Sequence, residues 1–206
     1  MKFNQFLITT NFKALSLIYL YNIILILVIL LLLPAFLIKL IIDRRYRRGL
    51  LERLGSIPAK VDSVLKGERP VWFHAASVGE VNASVKLISA IKARWPEKKI
   101  IVSTFTATGN AMAREKLEVD AVIYLPIDIP FIVRKVIERL NPAVLIIMET
   151  EIWPNLINEA KALNAPVVLV NGRISDSSYG KYRIIKSLLR VVFSKMSLIM
   201  TQSDEY

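Results

Sequence analysis

The stretch VWFHAASVGE, residues 71–80, decides the fold class of this 206-residue chain. It begins with the short apolar run 71–73 and passes through His74 into a helical pattern that starts near Glu80. A buried strand that turns directly into a helix is the repeating unit of open α/β domains, which bind ligands at the carboxyl ends of their strands. We therefore expect the carboxylate of Glu80 at a sheet edge that a ligand can reach.

The rest of the chain repeats this alternation of strand and helix. Continuously apolar runs are typical of strands buried on both faces, and the helices between them favour right-handed crossovers and a parallel sheet. We therefore predict a Rossmann-like α/β domain over residues 71–206. The predicted strands are Val71–His74, Lys99–Ser103, Ala121–Leu125, Ala143–Met148, Pro166–Val170 and Ser197–Thr201, and the predicted helices are 80–94, 109–118, 130–139, 154–163 and 178–194.

A long apolar segment precedes this domain. Residues 14–38 carry no charge, and they contribute much of the positive mean hydropathy of the chain, +0.45. A helix of this length spans the ~30 Å hydrocarbon core of a membrane. A cleaved signal peptide is the alternative, but its apolar region is normally shorter and is followed by a small-residue cleavage pattern. We predict a membrane anchor helix over residues 1–42 and a basic connector over residues 43–70.

The net charge of +11 is concentrated beside this segment. Residues 39–60 contain seven basic and two acidic residues. Basic residues flank membrane spans on the cytoplasmic side and attract anionic headgroups, so we expect the domain in the cytoplasm, at an anionic membrane surface. No zinc-finger spacing or stacking motif accompanies the charge, and we expect no nucleic-acid partner. The absence of cysteine fits a reducing compartment.

Acidic residues follow two of the predicted strands. Glu80 could accept a proton from a nucleophilic hydroxyl, with Gly79 allowing a sharp turn before it, or it could simply stabilise the first turn of its helix. Glu149 and Glu151 come after a strongly apolar strand, where a buried carboxylate is costly unless it has a partner or a task. The alternative is that one of them caps the helix that starts at Pro154.

Other polar residues in the loops leave several interpretations open. His74, the only histidine, could bind substrate or be a hydrogen-bonded structural residue. One histidine without cysteine makes us expect no metal site, and Ser77 lacks a second histidine to activate it. The loops 104–109 and 171–173 could bind an anionic group through backbone N–H donors. The basic face of helix 178–194 could be solvated or could contact anionic lipid.

Five segments make the chain resemble a known family. They are HAASVGE (74–80), STFTATG (103–109), YLPID (124–128), IMETEIWPN (147–155) and VNGRIS (170–175). In this order and spacing they resemble the amino-terminal half of 3-deoxy-D-manno-octulosonic acid (Kdo) transferases, over about residues 15–206. The resemblance implies a two-domain GT-B glycosyltransferase, anchored on the cytoplasmic face of the inner membrane. It would transfer Kdo from CMP-Kdo to a lipid A precursor with inversion and without a cofactor.

The resemblance also assigns roles to residues. Glu80 matches the family's general base, and Glu149 matches a second catalytic carboxylate that supports the transition state. The acceptor-binding residues that we predict are Ser77, Gly79, Thr106, Glu151 and Arg173.

The family's donor-binding domain corresponds to sequence beyond Tyr206, so we expect little or no transferase activity from these residues alone. The sequence leaves open a fragment, a truncated gene product, or a split enzyme whose donor-binding half is a separate chain. A membrane-anchored module that binds a lipid A precursor without catalysis is the alternative function.

Overall fold

The computed structural model describes residues 2–173, 180 and 182–202, with side chains from residue 15 onward apart from residues 44 and 45. The described chain divides into two compact units. One contains the residues up to Arg47 together with a late helix, and the other begins at Arg48 and contains the sheet. Residues 174 and 175 of the segment VNGRIS and part of the predicted helix 178–194 lie outside the described residues.

The first unit is built on helix α1, Lys2–Ile42, which continues through Pro34. Its segment Leu15–Ile42 is 28 residues long, about 42 Å at 1.5 Å per residue, and of its side chains only Ile18 is buried among the described residues. This length and composition are compatible with a single-pass membrane anchor. A 3₁₀ turn, Arg44–Arg47, follows, and Arg47 donates hydrogen bonds to the last carbonyls of α1, those of Leu40 and Ile41. Such a cation stabilises the negative end of a helix dipole.

The second unit contains a parallel sheet of six described strands in the order β3-β2-β1-β4-β5-β6. This confirms the predicted Rossmann-like α/β fold, and the ends of its predicted strands and of the helices at 80–163 differ by at most two residues. The strands are β1 Val71–His74, β2 Ile100–Thr104, β3 Ala121–Tyr124, β4 Val144–Met148, β5 Val167–Gly172 and β6 Leu198–Thr201. The helices are α2 Leu50–Arg53, α3 Ala59–Leu65, α4 Val78–Arg94, α5 Ala107–Lys116, α6 Pro130–Leu140 and α7 Pro154–Ala162, and α8 Lys186–Phe193 belongs to the first unit.

The strand order places the functional edge. The chain builds outward from β1 through β2 to β3, then returns and builds in the other direction through β4, β5 and β6. Connections therefore leave in opposite directions from the neighbouring strands β1 and β4, and a crevice opens between their loops at the carboxyl edge. All four residues of β1 are buried, with Trp72 and Phe73 fully so, which fixes this centre of the sheet rigidly.

Residues 48–70 of the predicted connector include two short helices that belong to the same unit as the sheet. The Glu52 carboxylate accepts a hydrogen bond from the Tyr124 backbone N–H at 2.7 Å. The Arg53 guanidinium lies 5.1 Å and 4.7 Å from the ring centroids of Phe105 and Tyr124. Gly49 adopts φ +68°, and a Cβ there would overlap the Tyr124 ring. This segment therefore covers the end of β3 closely.

Asp128, in the loop after β3, caps helix α7. Its carboxylate oxygens accept hydrogen bonds from the backbone N–H groups of Asn155 at 3.0 Å and Leu156 at 2.8 Å, and the residue is 2% exposed. The suggestion that Glu149 or Glu151 caps this helix is therefore wrong: the cap comes from a loop 27 residues earlier in the chain.

Replacing Asp128 with alanine is expected to lower the free energy of unfolding by about 2–4 kcal/mol, because two buried N–H donors lose their acceptor. Urea unfolding, monitored by circular dichroism, measures the change in the free energy of unfolding. Asp62→Ala is the control: its exposed ion pair with Arg139 should contribute little. Equal, small losses in both variants would contradict the capping role.

Candidate active site

The first loop of the site holds the Glu80 carboxylate in a fixed place. Glu80 is the third residue of α4, and its Oε2 accepts a hydrogen bond from the Ala76 N–H at 2.7 Å. Its Oε1 accepts one from the Ser77 hydroxyl at 2.8 Å. Burial raises the pKa of Glu80 to about 7 against the opposing effect of these bonds, and the charges of Glu151 and Glu149 raise it further. A carboxylate with this pKa can take a proton near neutral pH.

The prediction of a sharp turn at Gly79 is wrong. It lies within the first turn of α4 without a positive φ, so the backbone makes no sharp turn there. A Cβ at Gly79 would meet only the Ser77 hydroxyl oxygen, at 3.9 Å. The space beside the start of α4 is therefore open, and Gly79 leaves it so.

The loop after β2 is bound to this first loop. The Ala76 carbonyl accepts hydrogen bonds from the backbone N–H groups of Phe105 at 3.0 Å and Thr106 at 2.9 Å, and from the Thr106 hydroxyl at 3.2 Å. Thr106 also caps α5, because its hydroxyl oxygen accepts from the Gly109 N–H at 3.0 Å. The Thr106 side chain thus holds the two loops together, while its predicted contact with an acceptor remains a prediction.

Gly109 permits this close approach, and alanine there is expected to disturb it. A Cβ would lie 2.8 Å from the Thr106 hydroxyl oxygen and 3.1 Å from the Ala76 carbonyl oxygen. We expect Gly109→Ala to lower the free energy of unfolding by about 1–3 kcal/mol, as overpacking does. Gly79→Ala is the matched control, since open space and helix propensity should make it neutral or stabilising by up to about 1 kcal/mol. Thermal unfolding of the two variants tests this expectation. Equal melting temperatures for Gly109→Ala and Gly79→Ala would contradict it.

The loop after β4 faces the first loop across the crevice. Glu149 has φ +57°, a left-handed conformation that is costly for a residue with a Cβ, and its N–H donates to the Val170 carbonyl at 2.8 Å. The Thr150 hydroxyl donates to the Arg173 carbonyl and accepts from the Arg173 N–H. Arg173 Nη2 lies 3.6 Å from Glu149 Oε2. The predicted residues Glu149 and Arg173 therefore lie together.

Glu151 points back toward β1. Its Oε2 accepts a hydrogen bond from Trp153 Nε1 at 3.0 Å and lies 4.0 Å from His74 Nε2. Burial raises the pKa of Glu151, and the charge of Glu149 adds to the rise. Burial lowers the pKa of His74 to about 4, so the imidazole is neutral at physiological pH. The site therefore pairs a neutral histidine with a carboxylate.

An aromatic pair lies beside these carboxylates. The rings of Phe105 and Trp153 are tilted against each other with centroids 5.3 Å apart, and Phe105 is 43% exposed. Sequence reasoning missed Phe105, Arg53 and the capping role of Asp128. A large apolar residue inside the otherwise polar loop 103–109 was the available signal for Phe105. Arg53 carried no such signal, because its contacts with that loop span more than 50 residues.

Comparisons with known proteins agree with the resemblance. Residues 48–206 match the model of a family described as 3-deoxy-D-manno-octulosonic-acid transferase (kdotransferase). A 3-deoxy-D-manno-octulosonic acid transferase from Haemophilus influenzae is 37% identical over 78% of this chain and 37% of its own length. One from Chlamydophila psittaci is 32% identical over 91% of this chain and 43% of its own length. A bifunctional glycosyltransferase/methyltransferase from Fusobacterium nucleatum is 39% identical over 69% of this chain and 22% of its own length.

The chain thus spans less than half the length of each of these relatives. The family model nevertheless covers most of the chain, and the covered region includes every strand of the described sheet and every carboxylate of the crevice. On this evidence the chain belongs to the family of 3-deoxy-D-manno-octulosonic-acid transferases.

Proposed function

We propose that these residues form the acceptor-binding, base-supplying half of an enzyme that transfers Kdo from CMP-Kdo to a lipid A precursor. The single observation that carries the proposal is the Glu80 carboxylate at the switch point of the sheet, with a pKa of about 7. A buried carboxylate that is half protonated near neutral pH suits general base catalysis. Membership of the family supplies the substrate class.

In the proposed reaction Glu80 takes the proton of an acceptor sugar hydroxyl. The hydroxyl oxygen attacks the anomeric carbon of Kdo from one side while the bond to the CMP phosphate breaks on the other, which inverts the anomeric centre. CMP leaves with the bonding electron pair, and Glu80 keeps the proton until solvent removes it. The Ser77 hydroxyl and the Ala76 N–H hold the carboxylate in position throughout.

The second loop has the complementary task in this proposal. The negative Glu149 carboxylate stabilises the positive charge that develops at the anomeric carbon. A fixed charge in a site that largely excludes water provides this kind of electrostatic stabilisation. Arg173, beside it, offers a guanidinium to an anionic group of the substrates. Ser77, Gly79, Thr106 and Glu151 are the remaining residues that we propose for the acceptor.

The anchor suits an acceptor that is itself a membrane lipid. Helix α1 would keep the site at the bilayer surface, and the basic residues that follow it favour the cytoplasmic face of the inner membrane. An anchor in the same membrane as the acceptor lipid would raise the effective concentration of that acceptor at the site.

A transfer assay with CMP-Kdo and a tetraacylated lipid A precursor tests the proposal. The 206-residue chain is compared with the same chain joined to the carboxyl-terminal part of the Haemophilus influenzae relative. We expect transfer by the joined protein and little or none by the 206 residues alone. A joined protein that folds and binds both substrates without transfer would refute the catalytic proposal in favour of a binding module.

A further inference from the structure

His74 is fully buried at the end of β1, and its two ring nitrogens have different surroundings. Nδ1 lies 3.0 Å from the hydroxyl oxygen of Ser103 and 3.2 Å from its carbonyl oxygen. Nε2 has no hydrogen-bond partner among the described side chains and backbone, and it faces Glu151 Oε2 at 4.0 Å. A buried polar atom without a partner costs free energy. The contacts with Ser103 therefore satisfy Nδ1 but leave Nε2 unexplained.

The hydroxyl of Ser103 determines which nitrogen carries the hydrogen. Trp72 Nε1–H donates to this hydroxyl oxygen at 2.9 Å, so the hydroxyl hydrogen is directed to another acceptor. The nearer acceptor is His74 Nδ1 at 3.0 Å, since the Phe73 carbonyl is 3.4 Å away. The opposite tautomer would have Nδ1–H donate to the Ser103 carbonyl, which is the longer of the two Nδ1 contacts at 3.2 Å. When Nδ1 accepts, a neutral imidazole carries its hydrogen on Nε2. That hydrogen points toward Glu151.

Glu151 is nearly within reach of this donor. Its Oε2 is held by Trp153 Nε1–H at 3.0 Å, and the Trp153 ring stands edge-on to the imidazole at 6.3 Å. A hydrogen bond from nitrogen to oxygen is about 2.9 Å long, so the gap to His74 Nε2 is about 1 Å too wide. A hydrogen bond therefore requires the Glu151 carboxylate and the His74 ring to approach each other by about 1 Å.

Building on the proposed transfer reaction, we propose that His74 is a positioning residue for Glu151. Its Nε2–H binds the Glu151 carboxylate when the acceptor occupies the crevice and thereby fixes that carboxylate against an acceptor hydroxyl. The chain of donors Trp72, Ser103 and His74 extends from the buried sheet to the site, so rigid strands define where the carboxylate stands. His74 itself touches neither substrate.

Two substitutions separate this role from a structural one. The amide nitrogen of glutamine falls near the position of Nε2, whereas that of asparagine falls near Nδ1. In the joined protein, we expect His74→Asn to lower kcat by about tenfold or more, the loss of one hydrogen bond to a charged group, with the KM for CMP-Kdo little changed. His74→Gln should retain more of kcat. The reverse order would show that His74 serves Ser103 alone and would overturn the proposal.

A second measurement does not depend on activity. Because His74 is the only histidine, ¹⁵N-histidine labelling of the 206-residue chain in detergent gives one imidazole spectrum. We expect the Nε2–H tautomer, and we expect Glu151→Gln to shift the Nε2 resonance more than the exposed control Glu115→Gln does. A hydrogen on Nδ1, with bare Nε2, overturns the proposal. A joined protein that folds and binds both substrates without transfer would refute the proposed function, while this spectrum would still decide the role of His74.

Discussion

Replacing Glu80 with glutamine is expected to lower kcat for Kdo transfer by roughly 10²–10⁴-fold, the usual contribution of a general base. Glutamine keeps the shape of the side chain and can still accept the Ala76 N–H, but it cannot take a proton. The measurement is the transfer assay on the joined protein. Glu115→Gln, an exposed change on α5, is the control and should leave kcat unchanged. A Glu80→Gln variant within threefold of wild type would refute Glu80 as the base.

The same variant should be no less stable than the wild type above neutral pH. The pKa of Glu80 is raised by folding, so its stabilising contribution is complete below its ordinary pKa of 4.5 and is lost as the pH rises through about 7. The loss for the wild type is on the order of 3 kcal/mol. Glutamine resembles the protonated acid and avoids this loss. Denaturant unfolding at pH 5 and pH 8 therefore distinguishes a lost base from a damaged fold.

Glu149→Gln is expected to lower kcat by roughly 10²–10³-fold, the effect of removing one preorganised electrostatic group. It should also move the rising limb of kcat/KM to lower pH, because the charge of Glu149 contributes to the raised pKa of Glu80. A pH–rate profile from pH 5 to 9 reports both changes. If the rising part of the kcat/KM profile stays at the same pH, the charge of Glu149 does not raise the pKa of Glu80, and this expectation is wrong.

The left-handed backbone at Glu149 allows a control variant, Glu149→Gly, that separates loss of activity from loss of stability. Glycine adopts φ +57° without the penalty that a Cβ brings, so Glu149→Gly should relieve strain of about 1 kcal/mol. We expect this variant to be at least as stable as the wild type and nearly inactive. Activity lost together with stability would instead indicate that Glu149 is needed for folding.

Most of the sheet could be predicted from sequence because the residues of β1 to β4 are almost all buried, although those of the edge strand β6 are exposed. The buried strands read as mainly apolar runs, such as 144–148, and Pro130 and Pro154 mark the first turns of α6 and α7. The short helices at 50–53 and 59–65 have too few turns to give a periodic signal. Their attachment to the sheet depends on contacts with residues far along the chain.

The sequence allowed the residues of the candidate site to be predicted, but it did not allow their burial and contacts to be predicted. The parallel topology alone places Glu80, Glu149 and Glu151 at one edge. Whether a carboxylate there is an ordinary helix-turn residue or a base depends on its burial, and burial depends on how the loops pack. The same limit applies to His74: its spacing could not distinguish a structural residue from one that faces a carboxylate.

The backbone of Ala76 holds the candidate base, Glu80, through bonds that few side-chain mutations can remove. Its N–H holds Glu80, and its carbonyl accepts three hydrogen bonds from Phe105 and Thr106. A change of side chain cannot delete a main-chain carbonyl, and only proline removes the N–H. Changes in most neighbouring side chains therefore leave the placement of this carboxylate largely intact, because the backbone path encodes most of it, while Ser77 and Thr106 each add a side-chain hydrogen bond.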